Sequence, residues 1–291
     1  MKRIIAGIIC CIGFVAAHAM STSGSAFNES MGGASIAYPW SVNQTVMINP
    51  AYPAIVKRYA GNSFFSFNYY TMQERKDDGS YSWSFSLGGV SYTHSQNRYL
   101  DQNNKVITLS RSFERLPFGE MISMGLSFRW QETAHDIDEG LNAGILFMPL
   151  DNLAVGYTFD NIIAPEINGV SEPWRMTIGA GYKPLEWLGA SANMLMADND
   201  DNRYAAGVEL KPTDFYSIRA GYNAANRWTI GNGFSLWGYE LNVAYEFARE
   251  GNDDNTFYIS FTTGKYNFSP GWFNSDDDTE DDDVDYSDEV Q

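Results

Sequence analysis

The chain has 291 residues, with 36 Asp plus Glu against 19 Lys plus Arg and a formal net charge of -17. A chain this acidic offers no basic surface to a phosphate backbone, which excludes nucleic acid as a partner. Aromatic residues make up 15% of the chain and there are 26 glycines, a composition that favours strands and turns and leaves room for one large all-β domain or two smaller ones.

In chain order, residues 1–19 read as a secretory signal, with Lys2 and Arg3, an apolar core from Ile4 to Ala17, and Ala17-His18-Ala19 as a small-residue cleavage site. The mature chain is expected to begin at Met20. Cys10 and Cys11 both fall inside the signal, beside isoleucine rather than the small residues that precede a lipid-modified cysteine. The mature protein is therefore expected to hold no thiol, and export without disulfides suits a bacterial envelope protein. Beyond residue 20 no apolar run is long enough for a membrane helix. A membrane location then requires a closed barrel, because lipid offers no partners to an open sheet edge.

Residues 20–61 have a different texture. Gly24, Gly32, Gly33, Pro39, Pro50 and Pro53 interrupt every run, so this stretch is expected to be no strand array but an N-terminal plug segment with a short turn or helix near Ser30 to Tyr38. Within it stand Met31, Gly32, Gly33 and Ala34, followed after a spacer by Asn49, Pro50 and Ala51. This pair of motifs resembles the opening of the long-chain fatty-acid transporter (FadL-like) superfamily and its relatives, the PorV/PorQ-type outer-membrane proteins.

From residue 62 the pattern becomes regular. Tyr239, Leu241, Val243, Tyr245 and Phe247 alternate with Glu240, Asn242, Ala244 and Glu246, and successive side chains in a strand point to opposite sides. The same division recurs from Trp174 to Tyr182 and from Arg203 to Leu210. Counting such stretches between residues 62 and 268 gives about fourteen strands, each near the ~9–11 residues that cross a bilayer at a tilt. Short, punctuated connections such as Gly88-Gly89 and Trp237-Gly238 alternate with longer or more polar ones such as Gln73 to Ser80, Glu132 to Glu139 and Ile162 to Pro173. That asymmetry belongs to a transmembrane, antiparallel, up-and-down β-barrel with short periplasmic turns and longer outside loops.

A β-sandwich or propeller in water also alternates, so the second face has to decide. Here it is rich in Gly, Ser, Ala, Thr and Asn, with scattered charges at Arg129, Asp160, Arg175, Arg203, Glu209, Arg219, Glu240 and Glu246. Those eight are expected to face a polar lumen as internal pairs or as a guiding surface for a polar or anionic-headed ligand. Aromatics near strand ends, such as Trp130, Trp174, Tyr204 and Trp228, suit interfacial girdles. An even strand count brings both termini to the periplasmic side of the outer membrane of a Gram-negative-type bacterium.

The hairpins at residues 140–161 and 174–190, with turns of the form Pro-Leu-Asp/Glu-x-Leu, resemble those of PorV-type proteins, as does the stretch from Arg203 to Tyr222 with its Pro212-Thr213-Asp214 turn. The resemblance implies a fourteen-stranded barrel with an N-terminal plug, embedded in outer-membrane lipid. It also implies work as a type IX secretion component that binds secreted protein cargo or other envelope proteins. The alternative is a FadL-like channel for a hydrophobic small ligand, and a third reading is a structural outer-membrane protein.

No enzyme is expected. His94 reads as a strand residue and His135 as a loop residue, no Gly-x-Ser-x-Gly elbow occurs, and no His or Cys cluster has metal-ligand spacing, so catalytic residues, metal and cofactors are all expected to be absent. Asp198, Asp200, Asn202 and Glu209 imitate a calcium loop, but Arg203 stands where its turn glycine is needed. The segment 269–291 is expected to be an acidic disordered tail, extended by like-charge repulsion; a divalent-cation or partner-recruiting tail is the sharper alternative.

Overall fold

The structure is a computed structural model that describes residues 25–41, 48–55, 63–72, 79–98, 101–116, 119–133, 136–167, 170–198, 201–247 and 255–263. The signal at 1–19, the acidic tail at 269–291 and His135 lie outside the described residues. A five-residue helix, α1 (Ala26–Ser30), comes first. The strands follow as β1 (Ser63–Met72), β2 (Ser80–Leu87), β3 (Val90–Asn97), β4 (Gln102–Leu116), β5 (Gly119–Thr133), β6 (Ile137–Leu150) and β7 (Leu153–Ile163). A two-residue pair, β8 (Glu166–Ile167) and β9 (Val170–Ser171), interrupts the series. The array resumes with β10 (Arg175–Leu185), β11 (Leu188–Ala197), β12 (Arg203–Thr213), β13 (Tyr216–Tyr222), β14 (Trp228–Leu236), β15 (Tyr239–Glu246) and β16 (Thr256–Thr263).

Apart from β8 and β9, every strand pairs antiparallel with its chain neighbour, and β1 closes on β16 from Phe65 opposite Thr263 to Met72 opposite Thr256. Fourteen strands thus form one closed barrel with no free edge. The sandwich and propeller readings are overturned by that closure.

Which side faces out follows from period two. Along β15, Tyr239 and Leu241 are exposed while Asn242, Ala244 and Glu246 are buried. The same division holds on β1, where Phe65 and Phe67 are exposed and Ser66 and Asn68 are buried. The barrel is therefore inside out relative to a water-soluble core, with Phe, Leu, Ile and Val outside and Ser, Thr, Asn and charged groups inside. An apolar exterior this continuous matches hydrocarbon rather than water. Between β14 and β15 the outward ladder reads Ile230 opposite Tyr245 and Phe234 opposite Leu241, aliphatic against aromatic.

At one end of the barrel the connections are two-residue turns. At Gly88-Gly89 (φ 60° and 96°) and Trp237-Gly238 (φ 53° and 83°) both turn positions are left-handed, the geometry that matches strand twist in a tight hairpin. At the other end the connections are longer, as their composition predicts, with two corrections. The connection between β5 and β6 is only residues 134–136, because the β4–β5–β6 ladder continues through Asn103 opposite Glu132 and Gln131 opposite Asp138. Backbone hydrogen bonds need no apolar side chain, so pairing runs past the point where hydrophobic alternation stops. The connection at 164–174 also contains β8 and β9, too short to leave a periodic signal.

The short turn or helix expected near Ser30 to Tyr38 is met by turns at residues 31–33 and 36–37, preceded by the helix at Ala26–Ser30. Gly32 and Gly33 end it, at φ 66° and 75°, and the Gly33 N–H donates back to the Asn28 carbonyl at 2.8 Å.

Candidate functional site

The barrel interior is where charge, apolar side chains and the N-terminal segment meet. Residues 25–41 and 48–55 pack against the inward faces of the strands, and Phe27, Met31, Tyr38, Trp40, Ala51 and Tyr52 are all but fully buried. Inward glycines make the approach possible. A Cβ on Gly125 or Gly144 would collide with Pro50 or Asn49, one on Gly156 or Gly181 with the Ile36 or Ala37 carbonyl, and one on Gly207 or Gly221 with the Met31 and Gly32 backbone. A wall of larger residues on these strands would exclude the segment.

The motif residues hold this path in shape. Asn49 Nδ2 donates to the Ile36 carbonyl at 3.1 Å and to the Ile145 carbonyl of β6 at 3.2 Å, while its Oδ1 accepts from Ala51 N–H at 3.0 Å. One side chain thereby ties the two halves of the segment to each other and to the wall. Ser123 of β5 donates to the Ala51 carbonyl at 2.8 Å, and Asn193 of β11 donates to the Gly33 carbonyl at 3.0 Å. Ala34 and Pro50 are buried between these ties. The Tyr52 hydroxyl donates to the Ser35 carbonyl and accepts from Tyr38 N–H. Burial pushes the Tyr52 phenol well above its ordinary value, although the Tyr38 N–H opposes that shift, so the hydroxyl stays protonated.

All eight charged residues singled out from alternation occupy inward positions, and most fall into three clusters. In the first, Glu209 of β12 accepts from Arg219 Nε at 2.9 Å and from the Tyr38 hydroxyl at 2.7 Å, with Lys211 at 3.8 Å. Arg219 of β13 also donates to Asn242 at 2.5 Å and reaches Glu240 at 3.4 Å, and its guanidinium lies 4.4 Å from the centre of the Phe27 ring. Cation, carboxylates and ring exclude water from one another's shells, which strengthens each contact. In the second, near the end with longer connections, Arg129 of β5 donates to Glu172 and to Asn161, both at 2.9 Å, and Gln131 donates to the other Glu172 oxygen at 3.1 Å. Asp160 and Arg175 stand opposite one another beside this cluster in the β7–β10 ladder. In the third, Glu246 of β15 accepts from Arg227 at 2.5 Å and from Asn223 at 2.8 Å, closing the connection between β13 and β14. Arg203 opens β12, opposite Leu195, apart from these three clusters.

The first two clusters depend on residues that alternation cannot reveal. Tyr38 and Phe27 belong to a segment without period, and Glu172 and Asn161 sit in or beside a connection. Glu172 is drawn inward by the wall: burial opposes its ionisation, but Arg129, Arg175 and Gln131 together hold its carboxyl below the ordinary 4.5.

A different chemistry appears toward the turn end. Phe27, Met31, Ile36, Ala37, Tyr38 and Trp40 form one apolar cluster that includes Met121, Leu146, Met148 and Ala154 of β5, β6 and β7. These four are inward positions, so the lumen is polar on most of its wall and oily on this strip.

Closure, strand number and an inside-out surface make this a closed antiparallel fourteen-strand barrel, like the FadL-type outer-membrane barrels. Neither a protein-family model nor a curated protein matches the sequence. Among solved structures, the toluene transporter TbuX of Ralstonia pickettii is similar, at 10% identity and a TM-score of 0.57 over 82% of this chain and 97% of its own. The toluene transporter TodX of Pseudomonas putida gives 10% identity and a TM-score of 0.57 over 83% and 97%. The outer membrane protein Omp33 of Acinetobacter baumannii gives 10% and 0.51 over 71% and 98%. Identities this low establish a shared fold. The finer resemblance to PorV/PorQ-type proteins draws no support from these neighbours.

Proposed function

We propose that this chain is an outer-membrane channel that admits small hydrophobic molecules, with residues 20–61 as a plug that must shift for passage. The carrying observation is the apolar cluster inside an otherwise polar lumen. Met121, Leu146, Met148 and Ala154 are buried in one apolar cluster with residues of the N-terminal segment, among them Ile36, Ala37, Trp40, Ala51 and Ile55. Displacing that segment leaves an oily strip along β5 to β7, which is where an apolar solute would partition. The toluene transporters among the structural neighbours support the same reading. In this proposal the two-residue turns and both termini lie on the periplasmic side.

The secretion-component reading has less to stand on. Cargo capture needs docking surface on the outside connections, and the 164–174 connection is drawn onto the inner wall through Glu172.

Two measurements test the proposal. The chain, expressed in a porin-poor Gram-negative host, is expected in the outer membrane and to migrate differently on SDS gels with and without boiling. Those cells are expected to take up radiolabelled toluene faster than cells with an empty vector and to take up a disaccharide no faster. Equal toluene uptake with and without the protein sinks the channel reading; stable co-purification of envelope proteins without uptake would return attention to secretion.

A further inference from the structure

The lumen has two chemically distinct walls, and the proposed function uses only one of them. From β5 to β15 the inward face carries the glycines, the oily strip and the three charged clusters. From β16 across the closing seam to β4, three successive inward rows contain no charge. The row nearest the longer connections reads Ser260, Asn68, Ser82, Ser95 and Asn104. The next reads Thr262, Ser66, Ser84, Thr93 and Val106, and the third Phe64, Ser86, Ser91 and Thr108. The charges met on leaving them are Arg129, opposite Val106, and Glu240, opposite Thr262.

Many hydroxyls on this wall satisfy one another. Ser84 and Thr93 are 2.9 Å apart, Thr108 and Ser127 2.6 Å, Asn68 Nδ2 donates to Ser82 at 3.1 Å, and Ser260 accepts from Ala26 N–H at 2.6 Å. Four polar atoms remain buried without a partner: Asn68 Oδ1 and Asn104 Oδ1 in the first row, Ser66 Oγ in the second and Ser91 Oγ in the third. Ser66, Asn68 and Ser91 are 1%, 0% and 3% exposed, so bulk water does not satisfy them. A buried hydroxyl or amide oxygen without a hydrogen bond is destabilising, and four on one wall call for a ligand. Their placement is graded, because consecutive rows lie two residues apart, about 7 Å along the strand.

We infer that this neutral wall is a stepwise hydrogen-bonding track for small uncharged solutes that carry a hydroxyl, of which phenol is the simplest aromatic case. The inference rests on the channel reading and narrows its substrate class. At each row the solute's hydroxyl finds an acceptor at Asn68 or Asn104, then a serine at Ser66, then a serine at Ser91. The absence of charge on the three rows spares a neutral solute competition with tightly held ions and water. A plain hydrocarbon has no use for these atoms, so the wall discriminates between phenol and toluene where the oily strip does not.

The test compares initial uptake of radiolabelled phenol and toluene in cells carrying the full chain, the Ser66→Ala, Ser91→Ala double variant, or Ser217→Ala on β13 as a control for inner-face serines elsewhere. Heat-modifiability on gels confirms that each variant forms its barrel. The double variant is expected to slow the protein-dependent uptake of phenol about fivefold and to leave toluene uptake unchanged, as loss of hydrogen bonds of ordinary strength implies. Ser217→Ala is expected to change neither. Unchanged phenol uptake in a folded double variant overturns the track, as does an equal loss of both solutes. If neither solute enters faster than in empty-vector cells, the channel reading itself fails and takes the track with it. A double variant that forms no barrel gives the wall a folding role and overturns the track as a solute site.

Discussion

Arg219 and Glu209 stand directly opposite each other on β13 and β12, joined at 2.9 Å, and both are sealed from solvent by side chains of the N-terminal segment. Phe27 covers the guanidinium and Tyr38 hydrogen-bonds the carboxylate. An ion pair inside a barrel would ordinarily be a matter for the wall alone. Here a segment far away in sequence completes it (the Tyr38 to Glu209 separation is 171).

Removing one member should therefore be worse than removing both. Glu209→Ala leaves Arg219 buried with Asn242 and a distant Glu240, and is expected to lower the unfolding free energy by about 3–5 kcal/mol. Glu209→Ala with Arg219→Leu is expected to recover more than half of that loss, because no uncompensated charge remains. Urea unfolding in detergent, followed by tryptophan fluorescence, reads both, and equal destabilisation by the single and double variants would contradict the account.

Tyr38→Phe deletes only the contact from the segment to Glu209 and tests whether the segment is held by this bond. The loss of a hydrogen bond to a charged group is expected to be about 1.5–3 kcal/mol, expressed as faster cleavage of the segment by added protease while the barrel stays heat-modifiable. A cleavage rate equal to that of the parent would show that the glycine wall alone retains the segment.

Gly207 touches the Met31 backbone and Gly156 the Ile36 carbonyl, so a side chain at either position competes with the segment for the same space. Gly207→Val keeps strand propensity and is expected to leave the barrel closed while displacing residues 30–37. Hydrogen exchange of that segment should accelerate at least tenfold, with the exchange of β15 unchanged. Slow exchange in both regions would mean that the wall yields instead.

The fold was legible because a barrel wall obeys a period of two for its whole length. The eight inward charges, from Arg129 to Glu246, could be assigned to one face by counting alone, since a single-residue slip in register moves every side chain to the other side. What that counting could not give is partnership. Arg129 meets Glu172 because a connection turns inward, and Arg219 meets Phe27 because an aperiodic segment passes by it. The glycines and prolines of residues 20–61 announced irregular backbone but carried no information on its path. The β4–β5–β6 extension was hidden for the opposite reason, because polar residues such as Asn103, Gln131 and Glu132 continue a ladder held by backbone groups.

On the outer face, Asn232 is an amide among apolar neighbours, and the Tyr216 hydroxyl donates to its Oδ1 at 2.6 Å. Tyr216→Phe leaves that amide short of a partner on a surface matched to hydrocarbon and is expected to cost about 1–3 kcal/mol. Adding Asn232→Leu should restore stability to the parent level or above it. Urea midpoints in lipid vesicles measure this, and a neutral Tyr216→Phe would show that Asn232 finds water there.

The second charged cluster is expected to act as an acid-sensitive latch. Burial disfavours the Glu172 carboxylate, yet Arg129, Arg175 and Gln131 outweigh it and hold the group below 4.5 in the folded protein. A folded-state value below the unfolded one means that the ionised group stabilises the closed arrangement at neutral pH. That contribution is present above about pH 4.5, the ordinary carboxylate value, and is lost as pH falls through the folded value. Protonation also removes an acceptor from Arg129 Nη2, whose remaining bond is to Asn161. Hydrogen exchange across residues 164–174 is therefore expected to stay slow from pH 7 down to about pH 4.5 and to accelerate below it, after correction for the intrinsic rate. Glu172→Gln should show the faster exchange at every pH, with no acid step. Arg129→Met should do the same by removing the donor. An acid step that survives in Glu172→Gln would assign the latch to another group, and Asp160, opposite Arg175 in the same mouth, would be the next carboxylate to replace.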